Sequence, residues 1–353
     1  MDRVKFEKAW TAIATPMDDS GGIDWDGLRK NIEFQVSEGI TGILPAGTTG
    51  ESPTLSWQEH KDIIKNTVEY AGKRCAVIAG CGSNSARETM EVVGYADEQG
   101  ADAALLVDCY YNAPSSLELR KEYYEPVLKE HPDLPVVPYI IPGRTGTALS
   151  AEDLAMLSWK FPNVYAVKEA TGDTERMRRT RELAREDFSI MSGDDDVTFN
   201  KMLDPRIKAS GVISVMSNII PGAILKMTAS VLSGDENGAR EIQEKIQPLL
   251  GLVTVKARNE RVLTEGRTLV VEDKFRNPVP LKTMMAGIGM PSGRCRKPLG
   301  RMTLPGVSKV RSALMAVMEK DPSILKPAGD FYGIDIVKNL EDDSRWLPLA
   351  YPD

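Results

Sequence analysis

Histidine is almost missing from this chain: among 353 residues only His60 and His131 carry an imidazole. Both stand in charged stretches, WQEHKD and LKEHPD, that read as exposed helix. A histidine-based triad or a multi-histidine metal centre is hard to build from such a supply. Cysteine is sparse as well. Its four residues, Cys75, Cys81, Cys109 and Cys295, show no C-x-x-C spacing, which argues for a reducing compartment over a disulfide framework. No apolar run approaches the roughly 18 residues of a membrane-spanning helix. The N-terminal MDRVKFEKAW lacks an apolar signal core, so a cytoplasmic location is expected. An excess of basic charge is lacking too, and the net charge of −7 argues against nucleic acid or an anionic membrane as the main partner. In an enzyme of this composition, lysine, tyrosine and carboxylates carry the proton traffic.

What is present is an ordinary globular balance, 42% apolar and 27% charged, arranged as short apolar runs alternating with amphipathic stretches. TAIAT (11–15), GILPA (42–46), AVIAG (76–80), AALLVD (103–108), VVPYI (136–140), VYAVK (164–168), SIMSG (189–193) and SGVISV (210–215) read as eight strands. Between them, 24–39, 56–72, 85–100 and 150–160 read as helices opened by Asp or Ser caps. Such alternation leaves a closed (β/α)8 barrel or an open doubly wound sheet. No G-x-G-x-x-G follows the first strand, so the barrel is favoured. After about residue 220 the pattern changes to helices over 238–255, 279–290 and 306–320. The expected architecture is therefore an α/β TIM barrel over 1–232 with extra C-terminal helices over 233–353. The charged segment near 256–276 reads as a hairpin or exposed insertion. The tail 321–353, with six prolines and glycines, is expected to pack irregularly on the surface or on another subunit.

In a barrel the chemistry sits at the C-terminal strand ends. Strand two runs into AGTTGES, where Thr48 and Thr49 and the surrounding backbone N–H groups suit a small carboxylate; taken alone, an ordinary βα loop is the simpler reading. Strand five offers Tyr139, facing the interior if Ile140 faces the helices. Beyond it Arg144, on a Pro-Gly turn, can present a bidentate fork to a carboxylate or form a surface ion pair. Strand six ends in Lys168. By the same alternation Lys168 points inward, away from the side that Glu169 takes. A lysine in an apolar barrel loses hydration as an ammonium, so its amine becomes nucleophilic. Such an amine condenses with a 2-oxo acid to a Schiff base, and a nearby tyrosine can shuttle the protons.

These residues carry a resemblance. GTTGES, YYN, PGRTG, VKEATGD, SGDD and GVISV stand in the order and spacing of the dihydrodipicolinate synthase and N-acetylneuraminate lyase superfamily, the pyruvate-dependent class I aldolases. The chain resembles that superfamily over 8–232 and again over 277–300. The resemblance implies a TIM barrel with Lys168 as the Schiff-base lysine and Tyr139 as proton donor and acceptor. Thr48 would complete a relay with Tyr111, which in this family reaches into a neighbouring subunit's site. Thr48 and Thr49 would hold the pyruvate carboxylate, and Gly193 and Ile213 match main-chain contacts near it. It further implies no metal and no separate cofactor, and a homotetramer or at least a homodimer.

Arg144 resembles the arginine that takes the carboxylate of aspartate 4-semialdehyde in the synthase branch, on the route of lysine biosynthesis. The alternatives are another 2-oxo-acid aldolase, dehydratase or hydratase-aldolase, and a non-catalytic metabolite-binding barrel. Departures from the family pattern are Ile140, Cys109 and Cys81. Asn84, Glu88 and Tyr110 match its inhibitor-binding positions, while Trp57 and His60 fit them only in part.

Overall fold

Alternation along each strand sorts apolar residues into two layers, and that sorting closes the barrel. The structure, a computed structural model, describes residues 3–352. Eight parallel strands close in sequence order: β1 (Lys8–Ala12), β2 (Gly42–Leu44), β3 (Ala76–Gly80), β4 (Ala103–Val107), β5 (Val136–Ile140), β6 (Ala166–Glu169), β7 (Ser189–Ser192) and β8 (Gly211–Ser214). One set of side chains fills the interior, among them Trp10, Leu44, Ile78, Leu105, Val137 and Met191. The alternate set, including Ile43, Val77, Leu106, Ile140, Val167 and Val212, packs outward beneath the helices. The first strand begins three residues earlier than the apolar run TAIAT suggests. Its pairing with β8 starts at Lys8 opposite Gly211, which brings Trp10 into the barrel.

Aromatics plug the N-terminal end. Phe6 lies 5.5 Å from Trp10 and 5.3 Å from Tyr165, centroid to centroid. Trp10 fits only because residue 42 is glycine, where a Cβ would lie 2.1 Å from the indole. The opposite end carries no such plug, and the cavity lies there.

The expected helix caps hold. Asp24 accepts from Gly27 N, Ser56 and Glu59 form a complete capping box, and Ser85 and Ser150 accept from the third residue of their helices. Beyond the barrel the helix Glu236–Leu250 is followed by β9 (Thr254–Val262) and β10 (Thr268–Arg276), so the helix expected over 238–255 stops short and gives way to strand. These two strands form an antiparallel hairpin, one of the two expected readings of that segment. Val255 and Ala257 at its root are buried, while Val262 and Val270 near its tip are exposed.

The tail corrects the sequence-based expectation. It forms short helices, Lys326–Tyr332, Ile336–Glu341 and Asp343–Trp346, packed on its own chain. Tyr332 donates to Asn31 Oδ1 at 2.9 Å, and Trp346 is buried so closely that a Cβ on Gly287 would meet its ring at 2.2 Å. The sparse Leu, Ile and aromatic residues between the prolines and glycines suffice to bury one face. No helix among the described residues is long and apolar enough to cross a membrane.

Candidate active site

Parallel pairing sets Tyr139 directly opposite Lys168 on adjacent strands. Both face inward, and Lys168 Nζ lies 4.3 Å from the centroid of the Tyr139 ring. Ile140 and Val167, their strand neighbours, belong to the outer layer, as alternation requires. Glu169 also points outward and pairs with Arg176 at 3.1 Å, so an ion pair with Lys168 is excluded. Lys168 is 5% exposed. Burial pulls its pKa down to about 8; the nearby Asp194 and Asp195 charges oppose that fall and Arg144 adds to it. Burial raises the Tyr139 hydroxyl to about 12, against the pull of Arg144 and of the Thr48 hydroxyl facing it. At neutral pH the pair thus holds a lysine near its titration point beside a protonated phenol.

The two adjacent aspartates differ. Asp195 is wholly buried and accepts from Val215 N at 2.9 Å, from Met216 N at 3.3 Å and from the Ser214 hydroxyl. Its oxygens are occupied in tying the end of β7 to β8, and these donors oppose the upward push of burial on its pKa. Asp194 carries no such set of donors; burial and its two acidic neighbours push it up to about 6.

A cleft of about 250 Å³ opens beside Tyr139, lined by Ala46, Gly47, Thr48, Tyr110, Tyr139, Arg144 and others from the strand ends; Lys168 does not line it, and its Nζ lies against the Tyr139 ring. Thr48 lines it. Thr49 does not: it is buried and its Oγ1 accepts from Asn277 Nδ2 at 2.9 Å. Arg144 stands at the rim, donating to the Asn277 carbonyl at 2.9 Å. Gly193 lies where a Cβ would meet the Ala170 Cβ at 2.7 Å, and its N–H donates to the Glu169 carbonyl at 2.8 Å. Ile213 is fully buried in the interior layer, opposite Trp10.

Tyr111 is not brought to this cleft. It is 92% exposed and sits at a φ of 74°, a left-handed backbone that non-glycine residues adopt at a cost. Tyr110 lines the cleft instead, held by its N–H donating to Asn84 Oδ1 at 2.7 Å. Of the family departures, Ile140 and Cys81 lie in the outer layer, and Cys109 turns its thiol toward the Ser83 carbonyl at 3.6 Å. None lines the cleft.

The histidines correct their sequence reading. His60 is 2% exposed, with Nε2 2.6 Å from the Gly80 carbonyl, and burial lowers its pKa. It shares the inner stripe of the helix Trp57–Ala71 with Ile63, Ile64 and Thr67. The i, i+3, i+4, i+7 spacing signalled this despite the charged neighbours. His131 is half-buried, near Asp97.

Sequence reasoning missed Asn277 and Lys282. Asn277 joins Thr49 to Arg144. Lys282, 2% exposed, donates to Glu51 Oε1 at 2.6 Å, to the Thr15 carbonyl at 3.0 Å and to the Arg294 carbonyl at 3.1 Å. Both come from the C-terminal region, more than 220 residues from the loop they serve, so no periodicity reveals them. Among the described residues, no three His, Cys, Asp or Glu side chains gather as a metal site would require.

Comparison with known proteins adds an independent line. The dihydrodipicolinate synthetase family model matches residues 5–317. A 4-hydroxy-tetrahydrodipicolinate synthase of Methanothrix thermoacetophila is 37% identical over 310 residues, 88% of this chain and 96% of that relative. One of Nitratidesulfovibrio vulgaris is 35% identical over 89% of this chain and 99% of its own length. Among solved structures, the 4-hydroxy-tetrahydrodipicolinate synthase of Methylacidiphilum fumariolicum superposes with a TM-score of 0.80 at 32% identity, covering 92% of this chain and 99% of its own.

Proposed function

Because the chain belongs to the dihydrodipicolinate synthetase family, we propose that it is a class I lyase that condenses pyruvate with aspartate 4-semialdehyde to 4-hydroxy-tetrahydrodipicolinate. The observation that carries the reading is the Tyr139–Lys168 pair, with Tyr139 lining the cleft and the amine against its ring pulled down to about 8.

The unprotonated Lys168 amine attacks C2 of pyruvate, and loss of water gives an imine. Tyr139, protonated at working pH, gives a proton to the departing hydroxyl and takes it back as the pyruvate methyl is deprotonated. The enamine carbon then forms the new bond to the aldehyde carbon of the second substrate. That substrate's own amine takes over C2 from Lys168, closing the ring and freeing the enzyme. No separate cofactor enters these steps. Thr48 relays protons to and from Tyr139, and the backbone N–H groups of the 48–49 turn, with the Thr48 hydroxyl, hold the pyruvate carboxylate, while the Thr49 hydroxyl stays with Asn277; Gly193 and Ile213 are main-chain neighbours. Arg144, at the rim, receives the carboxylate of the semialdehyde.

Tyr111, exposed on strained backbone, supports a site completed by a second copy of the chain. The working form is then at least a homodimer, and a homotetramer by family habit, in the cytoplasm.

Intact mass after pyruvate and borohydride, with peptide mapping, tests the chemistry: one reduced adduct on Lys168 is expected. No adduct, or one on another lysine, overturns it. Consumption of aspartate 4-semialdehyde only when pyruvate is present tests the acceptor. Imine formation without that consumption moves the protein to another 2-oxo-acid aldolase of the same superfamily.

A further inference from the structure

The turn that carries Arg144 and the end of β10 exchange side chains. Arg144 Nη2 donates to the Asn277 carbonyl at 2.9 Å, and Arg276 Nη1 donates to the Gly143 carbonyl at 2.7 Å. Each arginine thus holds the backbone beside the other. The segment that offers Arg276 is rigidly placed. Arg276 pairs with Thr254 in the hairpin register, and Asn277 N–H extends that ladder by donating to the Val253 carbonyl at 2.9 Å. Val255 and Ala257 anchor the same root by burial. The Pro142–Thr145 turn has less of its own: one helical turn with no side-chain cap at its start. The Arg276 charge acts unfavourably on Arg144, so holding it beside the turn that carries Arg144 to the cleft needs an external reason. A geometry preset for an anion supplies one.

We propose that Arg276 is a positioning residue for the second substrate: it ties the 142–145 turn to the hairpin root, so that the Arg144 fork is set before the acceptor's carboxylate arrives. The hairpin 254–276 is then a brace for the acceptor subsite, and the C-terminal region is part of substrate selection. The inference rests on the reading of Arg144 as the acceptor-carboxylate ligand.

The test is steady-state kinetics on Arg276→Ala, Arg276→Lys, Arg144→Ala and the Arg276→Ala/Arg144→Ala double variant, with pyruvate-dependent borohydride trapping on each. Arg276→Ala should raise KM for the aldehyde about tenfold while kcat, KM for pyruvate and the trapped adduct stay near wild type. Arg276→Lys, which keeps a donor, should recover part of that loss. The double variant should be no worse than Arg144→Ala, because a brace has nothing left to hold.

An aldehyde KM unmoved by Arg276→Ala but raised by Arg144→Ala would overturn the brace and leave Arg144's role intact. Independent losses that multiply in the double variant would also overturn it, since Arg276 would then touch the substrate itself. A parallel rise in both KM values with a lowered melting temperature would reduce Arg276 to a purely structural residue. If Arg144→Ala leaves the aldehyde KM unchanged, the underlying reading of Arg144 fails first.

Discussion

Two lysines in this protein are withdrawn from water to nearly the same degree, and they are treated in opposite ways. Lys282, 2% exposed, has three acceptors, one of them the Glu51 carboxylate, whose side chain is itself wholly buried. The other Glu51 oxygen accepts from Arg296 N at 2.8 Å. Lys168, 5% exposed, has instead an aromatic face at 4.3 Å and two aspartates acting at longer range. Burying an ammonium costs several kcal/mol unless it is paired or gives up its proton. The fold takes the first course at Lys282; at Lys168 it goes only partway along the second, bringing the pKa down to about 8. Burial alone therefore does not mark a reactive lysine; a missing partner does.

The largest way to break this contrast is to remove each amine in turn. Lys168→Ala should abolish pyruvate trapping and lower turnover on the order of 10⁴-fold or more, because the proposed mechanism runs through an imine on Lys168. Wild-type turnover in Lys168→Ala would end the comparison outright. Lys282→Met should act on stability instead: Glu51 is left as a buried, unpaired carboxylate, and chemical denaturation should show a loss of about 3–5 kcal/mol.

Lys168→Met should have the opposite sign. The folded-state pKa of about 8 lies below the ordinary 10.5, so below pH 8 the native state bears the full cost of burying the charge. Between these values the unfolded chain binds more protons, and wild-type stability rises with pH. Removing the amine should therefore stabilise the fold at neutral pH, by at most about 3–4 kcal/mol at ~1.4 kcal/mol per pK unit. Destabilisation by both methionine variants would mean that Lys168 is as well paired as Lys282.

The two lysines also separate what was legible in the sequence from what was not. Lys168 could be found because strand alternation is local: Val167 outward forces Lys168 inward, and the same rule places Tyr139 against Ile140. Eight apolar runs with capped helices between them carried the barrel for the same reason. Lys282 and Glu51 are 231 residues apart, and their pairing exists only once the C-terminal helix docks on the barrel. Asn277, which reaches Thr49 across a similar interval, was hidden likewise. Tyr111 shows a third limit. Its left-handed backbone is a property of the turn, and nothing in CYYN distinguishes the tyrosine that lines the cleft from the one that leaves it.

Tyr139 sharpens the contrast from the other side, since it is the neighbour that Lys168 has and Lys282 lacks. Tyr139→Phe keeps the ring and removes the proton. Turnover should fall about 10²- to 10³-fold, the scale of a lost general acid–base group. The ring packing, and with it the melting temperature, should hold. A loss under tenfold would assign the proton transfers to another group, with Thr48 the next to examine.

The smallest expected effect tests the long-range partners. An amine with a pKa of about 8 must lose its proton before it attacks, so kcat/KM for pyruvate should rise about tenfold per pH unit below 8 and level off above it. Asp194 contributes the larger of the two aspartate charges that hold the ammonium up. Asp195 spends its oxygens on Val215, Met216 and Ser214, which leaves Asp194 the cleaner probe. In Asp194→Asn the opposing charge is gone, the ammonium is less favoured, and the limb should move to lower pH by about one unit or less. At pH 7 the variant would then form the imine faster than wild type. A limb that stays at 8, or moves up, would mean that Asp194 does not act on Lys168 as a charge, and that burial alone sets the poise of the amine.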